Sequence, residues 1–181
     1  MLFVLLNYGV ILGQKKSVVN DSILEWNPKH GLSWSDFLGK PNEDVFGYAM
    51  TSYKIEIIPS DVLVDENDRI RGYENLSVKA NFYKYHSWTI DRNNQLLQHE
   101  QLHFDIAELF ARKMRKEFRK SQANKDAKFD TYLKHHNLFW KECRQYQIKY
   151  DNETRHGLEE EINKKWIIKI NEELEAFKDF E

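Results

Sequence analysis

Apolar and polar residues alternate from Leu76 to Tyr83. Leu76, Val78, Ala80 and Phe82 fall on one face, and Ser77, Lys79, Asn81 and Tyr83 on the other. A period of two predicts a half-buried strand, and this one continues toward Trp88. If its edge is open, an extended peptide can pair alongside it; pairing inside the sheet is the alternative. An earlier strand is expected over residues 49–58, closed by Pro59. Asp65-Glu66-Asn67-Asp68 reads as a turn, since the later ligands and glycine of a calcium loop are absent. Trp34 to Pro41 reads as a loop pinned to the core by Trp34 and Phe37.

Beyond Trp88 the period lengthens. Leu96, His99, His103, Ala107, Phe110 and Met114 recur three or four apart, which predicts a helix over residues 94–119. The polar stretch 120–128 ends it. A second helix is expected over 129–148, with Tyr132, Leu133, His136, Phe139 and Cys143 toward the core. Tyr150-Asp151-Asn152-Glu153 reads as a loop. A third helix follows, with Leu158, Ile162, Trp166, Ile170, Leu174 and Phe177 on one stripe. Strands followed by helices predict an α+β domain: an N-terminal strand layer packed on one long helix, with two further helices C-terminal to it.

Composition narrows the function. With 41% hydrophobic residues, the chain has the makings of a packed core. The formal net charge of −2 favours neither nucleic acid nor an anionic membrane surface as partner. Cys143 is the single cysteine, which excludes both a disulfide framework and a Cys-rich zinc ribbon, so any metal site must use His and carboxylates. Residues 1–13 are apolar, uncharged and too short to span a bilayer. They read as a signal segment, with Ile11 and Gly13 before a cut near Gln14, and a secreted or periplasmic location follows. No Lys or Arg precedes the segment, so either the true start lies upstream or the segment is a buried N-terminal strand. Residues 14–181 are expected to form a single domain.

The chemistry concentrates in His99-Glu100-Gln101-Leu102-His103. On a helix, His99 and His103 stand on one face, one turn apart, and two imidazole nitrogens fit a shared tetrahedral zinc ion at about 2.0–2.1 Å. Glu100 is rotated by about 100° from His99, so it faces a metal-bound water instead of the metal. Zinc lowers the pKa of such a water toward about 7, and a carboxylate then takes its proton. Satisfied core histidines are the competing reading. Two unpaired imidazoles on an apolar stripe would be costly, however, which favours the metal.

A catalytic zinc needs a third protein ligand. Asp105 and Glu108 are rotated by roughly 200° and 140° from His103 on the same helix and do not face the ion. The remaining histidines are His30, His86, His135, His136 and His156, and Asp151 and Glu153 are carboxylate rivals. Gly157, next to His156, permits a close approach of backbone to a site. Tyr150 either donates to a tetrahedral oxyanion or packs. Asp151 or Asp105 either accepts from a ligand imidazole or, for Asp151, caps a helix.

These motifs resemble a bacterial family of predicted secreted zinc-dependent proteases, domain of unknown function 922. The resemblance runs through Leu32 to Pro41, Ala49-Met50-Thr51, Ser87-Trp88, His99 to Glu108, Tyr150 to Gly157 and the helix containing Trp166. It implies a zincin-like fold, with a strand layer beside the active-site helix, and it implies that His156 belongs to the site, where it is expected as the third zinc ligand. The expected activity is hydrolysis of peptide bonds in a peptide or protein substrate. The alternatives are a zinc amidase acting on cell-wall or small-molecule amides, or a non-catalytic metal-containing binding domain of the envelope.

Overall fold

The computed structural model describes residues 22–42 and 47–181. The expected signal segment and its cut site lie outside the described residues. Five strands precede three helices: β1 Ile23–Glu25, β2 Ala49–Met50, β3 Tyr53–Ile58, β4 Ser77–Tyr83, β5 Trp88–Thr89, α1 Asn94–Ala123, α2 Phe129–Thr154 and α3 Glu160–Ala176. The architecture is the expected α+β one, with a strand layer followed by three helices, the first of them long.

The main sheet is antiparallel in the order β1-β4-β3. Its centre is the alternating segment: Val78, Ala80 and Phe82 are buried, while the residues between them are half-buried. Each large side chain so buried contributes about 1.5–3 kcal/mol. Both edges of β4 are occupied, by β1 and by β3, so the expected open edge is closed by pairing inside the sheet.

The expected strand 49–58 is split. β3 pairs with β4, whereas β2 pairs with β5 in a separate two-stranded ribbon. The division falls at Ser52, whose N–H donates to the buried Ser87 hydroxyl at 2.9 Å and so leaves the sheet ladder. The strand expected to run on to Trp88 is likewise interrupted, by a 3-10 turn at Lys84–His86. Against that turn lies the Trp34 to Pro41 loop: Leu38 N–H donates to Lys84 C=O and Gly39 N–H to Ser87 C=O. A Cβ on Gly39 would stand 2.8 Å from the carbonyl oxygens of both Tyr85 and Ser87, so only glycine fits here. Asp65 closes its turn by accepting from the N–H groups of Asn67 and Arg69.

α1 lies between the sheet and the other helices, contacting β4 on one side and α2 and α3 on the other. Asn93 caps it by accepting the Leu96 N–H at 2.8 Å. Leu102, Ile106, Leu109 and Met114 are buried along it, with Phe104 meeting Phe82 of the sheet at 5.8 Å between ring centroids.

α2 runs six residues past its expected end at 148. The segment read as a loop, Tyr150 to Glu153, belongs to its last helical turns. Asp, Asn and Thr are weak helix formers, but packing overrides propensity here. Tyr150 and Thr154 are fully buried, and the Thr154 hydroxyl satisfies the Tyr150 carbonyl at 2.8 Å. Of the core positions expected on the last two helices, Tyr132, Cys143, Trp166, Ile170 and Leu174 are buried, whereas Leu133, Leu158 and Ile162 are exposed. Leu158 precedes the first turn of α3, so the helical stripe does not reach it.

Candidate metal centre

One turn of α1 and the last turns of α2 face each other across a cleft of about 280 Å³. Three donor atoms converge there. His99 Nε2 and His103 Nε2 are 3.1 Å apart, and Asp151 Oδ1 stands 3.2 Å from the first and 3.0 Å from the second. The edge of a tetrahedron with bonds of about 2.0 Å is roughly 3.3 Å, so the triangle has the size of three ligands on one small cation. Among the described residues, His99, His103 and Asp151 form the one group of three or more that could hold a metal ion.

The satisfaction of polar atoms points the same way. Among the described residues, five buried side-chain nitrogen or oxygen atoms have no hydrogen-bond partner, and three of them belong to His99, Glu100 and Asp151. Such atoms are costly to leave unmade. Glu100 Oε2 and Asp151 Oδ1, both in the cleft, fit a site built for a cation, whereas the unpartnered His99 atom is Nδ1, the ring nitrogen other than the converging Nε2. The two nitrogens and one carboxylate oxygen suit zinc.

Each ligand candidate is held by its neighbours. Gln147 on α2 takes His103: its Oε1 faces the ring Nδ1, and its Nε2 donates to the His103 carbonyl at 2.8 Å. A proton on Nδ1 leaves Nε2 with its lone pair toward the cleft. His99 stacks on the ring of Tyr150 at 4.6 Å and is pressed from the other side by Gly157, where a Cβ would come within 2.9 Å of His99 Cγ. The glycine therefore supports the site by close approach, at a φ of +82°.

Electrostatics follow from burial and from the shared carboxylate. Burial pushes the His99 imidazole down to about 4, against the pull of Asp151. Burial also opposes protonation of His103, but Asp151 and Glu100 outweigh it and raise the group to about 9. Burial alone would raise Asp151; His103 and His99 instead hold it well below the usual carboxylate range. Glu100 is raised by its burial, which outweighs the pull of His103 and of hydrogen bonding from Thr51. Glu100 also lines the cleft, as do Thr51 and the β2 residues Ala49 and Met50.

The other sequence candidates are placed elsewhere or at the rim. His156 lines the cleft with its Nδ1 3.7 Å from Asp151 Oδ1, outside the group of three. Its φ of +56° follows Arg155 at +50°, and the turn is tied by His156 N–H to Asp151 C=O at 2.9 Å. Two non-glycine residues in the left-handed region mark a conformation that the surroundings enforce. The Tyr150 hydroxyl donates to Asn163 on α3 and lies 3.4 Å from the His99 carbonyl. Tyr150 thus packs behind the histidines; the tyrosines that line the cleft are Tyr48 and Tyr53. Asp105 accepts from Trp26 and Gln101, not from an imidazole. Glu108 is paired with Arg112 and Arg115, and Glu153 accepts from Trp166. His86 stacks on Tyr83, His135 faces Ser121 and His136 faces the Ile55 carbonyl. His30 lies in an isolated bridge with Asn27.

Gln147 escaped the sequence reading. The signal was present, because Gln147, Tyr150, Asp151 and Thr154 follow the i, i+3, i+4, i+7 spacing of one helical face.

The stretch from the middle of β4 to Gly157 carries every one of these donors. Residues 80–157 match the family model described as a bacterial protein of unknown function, DUF922. The DUF922 segment includes His99, Glu100, His103, Gln147, Asp151, His156 and Gly157. It leaves out the loop from Leu32 to Pro41, β2 and α3. No curated protein matches the chain, and no solved structure does. Among the described residues no helix is long and apolar enough to cross a membrane.

Proposed function

We propose that this chain is a zinc-dependent metallopeptidase in which His99, His103 and Asp151 hold the ion and Glu100 is the general base. The observation that carries the reading is the buried, unpartnered carboxylate oxygen of Glu100 in the same cleft as three converging donors. A purely structural metal site has no use for such a group.

The ligand set prefers Asp151 to the expected His156 because Asp151 Oδ1 already stands within 3.2 Å of both Nε2 atoms. His156 remains the nearest further donor. A zinc ion in this place supplies Lewis acidity and makes water a better proton donor near neutral pH. The chain's own residues do the rest. Gln147 and Tyr150 fix the two imidazoles. Glu100 takes the proton of the attacking water on its free carboxylate oxygen and can return it to the leaving amine. Burial, which raises its pKa, makes it a better base than an exposed carboxylate. The apolar residues 1–13 support an envelope or extracellular setting for this activity.

The test compares the parent protein with Glu100→Gln, measuring zinc content and cleavage of a broad peptide library. The variant is expected to keep near-stoichiometric zinc and to lose about 10²–10⁴-fold in turnover. Loss of zinc in that variant, or unchanged cleavage, overturns the assignment.

A further inference from the structure

A second cavity, of about 300 Å³, adjoins the metal cleft. Tyr48, Leu96 and His156 line both, so the two are neighbours that share these residues. Asp91, Asn93, Gln95 and His156 give the second cavity polar walls, and Tyr48, Leu96 and Leu158 give it apolar ones. Tyr48 is 55% exposed and Leu158 is 62% exposed, and both line it. The carboxylate among its lining residues is Asp91, and among the described residues no Lys or Arg lines it.

Asp91 is held in place without being neutralised. Its carboxylate accepts the Arg92 N–H at 2.7 Å and the Asn93 side-chain amide at 2.8 Å. Among the described residues it makes no ion pair. The walls are tied together as well, since Gln95 on α1 donates to the Gly157 carbonyl at 2.8 Å across the cavity. The nearby N-terminus of α1 contributes charge of the opposite sign. Its Leu96 N–H is already taken by Asn93, and the full charge of a carboxylate outweighs the half charge of a helix end.

We propose that this cavity is a substrate subsite for a basic side chain, lysine or arginine, with Asp91 as the residue that selects it. The aliphatic stem lies along Tyr48, Leu96 and Leu158, and the cationic head meets Asp91. This is how long basic side chains divide between apolar and charged surroundings. The proposal rests on the reading of the cleft as a peptide site and adds the class of peptide it takes. Asp91 selects and positions; it does not take part in bond breaking.

Zinc-loaded Glu100→Gln protein allows binding to be read without cleavage. The probes are labelled, acetylated and amidated alanine hexapeptides carrying lysine, norleucine or glutamate at each position in turn, followed by fluorescence anisotropy. At one position lysine is expected to bind about fivefold tighter than norleucine, which has the same stem and no charge. Asp91→Asn, which keeps the hydrogen-bond acceptor, should abolish that preference, and Asp91→Lys should turn it toward glutamate. The subsite is overturned if no peptide binds, if no position prefers lysine, or if the preference survives Asp91→Asn. The two readings fail separately. Selective binding by Glu100→Gln with no cleavage of these peptides by the parent supports the subsite and counts against the peptidase. Cleavage by the parent without basic preference does the reverse.

Discussion

Gln147 grips His103 at both ends, its side-chain oxygen on the ring Nδ1 and its nitrogen on the backbone carbonyl 2.8 Å away. One amide thus sets the tautomer and the tilt of the imidazole. Gln147→Leu is expected to lower zinc affinity by about 10–100-fold, the usual effect of losing such a partner. Gln147→Glu should lose less, because a carboxylate still accepts from Nδ1. Zinc titration against a chromophoric chelator measures both variants; equal affinity in Gln147→Leu and the parent would show that the contact does not orient the ligand.

The ligand set makes a second prediction. Asp151→Asn should lose more zinc affinity than His156→Ala, since Asp151 is the donor within 3.2 Å of both imidazoles. Far-UV circular dichroism should show that both variants keep their helices. A larger loss in His156→Ala would restore the histidine as third ligand.

Zinc binding should depend on pH through His103. Without metal, Asp151 and Glu100 raise this group to about 9 from an ordinary 6.5, despite the opposing effect of burial. A raised pKa means that the folded metal-free site keeps its proton through the neutral range. The stability this confers is complete below about 6.5 and is lost as pH rises through about 9. Zinc must displace that proton, so its affinity should rise about tenfold per pH unit in this window and level off above it. His99, pushed down to about 4 by burial, adds no second proton there. Calorimetry in two buffers of different ionisation enthalpy should find about one proton released; a release near zero would contradict the assignment.

Gly157→Ala should damage the site twice. The residue has a φ of +82°, and a Cβ would stand 2.9 Å from His99 Cγ. Gly72→Ala is a fitting control: its φ is +75°, but the nearest atom to a Cβ is Asn75 Nδ2 at 3.6 Å. Both substitutions should cost stability, by more than about 1 kcal/mol in thermal unfolding of the metal-free proteins. Only Gly157→Ala should also weaken zinc binding. Parent-like zinc affinity in that variant would mean that His99 relaxes freely.

Much of this was legible in the sequence because it depended on local periodicity. The alternation around Val78 and Ala80 marked the central strand, and the spacing of His99 and His103 placed both imidazoles on one helical face. Edge pairing was not legible: nothing local distinguishes a central strand from an open one, and the partners of β4 come from residues 23–25 and 53–58. The end of α2 was misjudged for a related reason. Asp151-Asn152-Glu153 has the composition of a loop, and the burial of Tyr150 and Thr154 that keeps it helical comes from tertiary contact. That turn of helix is what brings Asp151 to the histidines, so a boundary at 148 also hides the third donor of the cleft. His156 drew attention through its neighbour Gly157, but its distance from the other donors is set by a left-handed turn that its own residue type does not signal.

The contact between Tyr150 and Asn163 bears on where the functional unit stops. The tyrosine that backs His99 donates its hydroxyl hydrogen bond to a residue six positions beyond the DUF922 segment, and Trp166 of the same helix packs against that ring at 5.3 Å between centroids. At the other end, the segment begins inside β4, whose two neighbouring strands both precede it. Excised at its boundaries of similarity, the segment would carry every donor atom and yet bare both edges of a strand and the side of the Tyr150 ring that α3 covers. The part of the chain that the family model matches is therefore smaller than the part that must fold for its donor residues to meet.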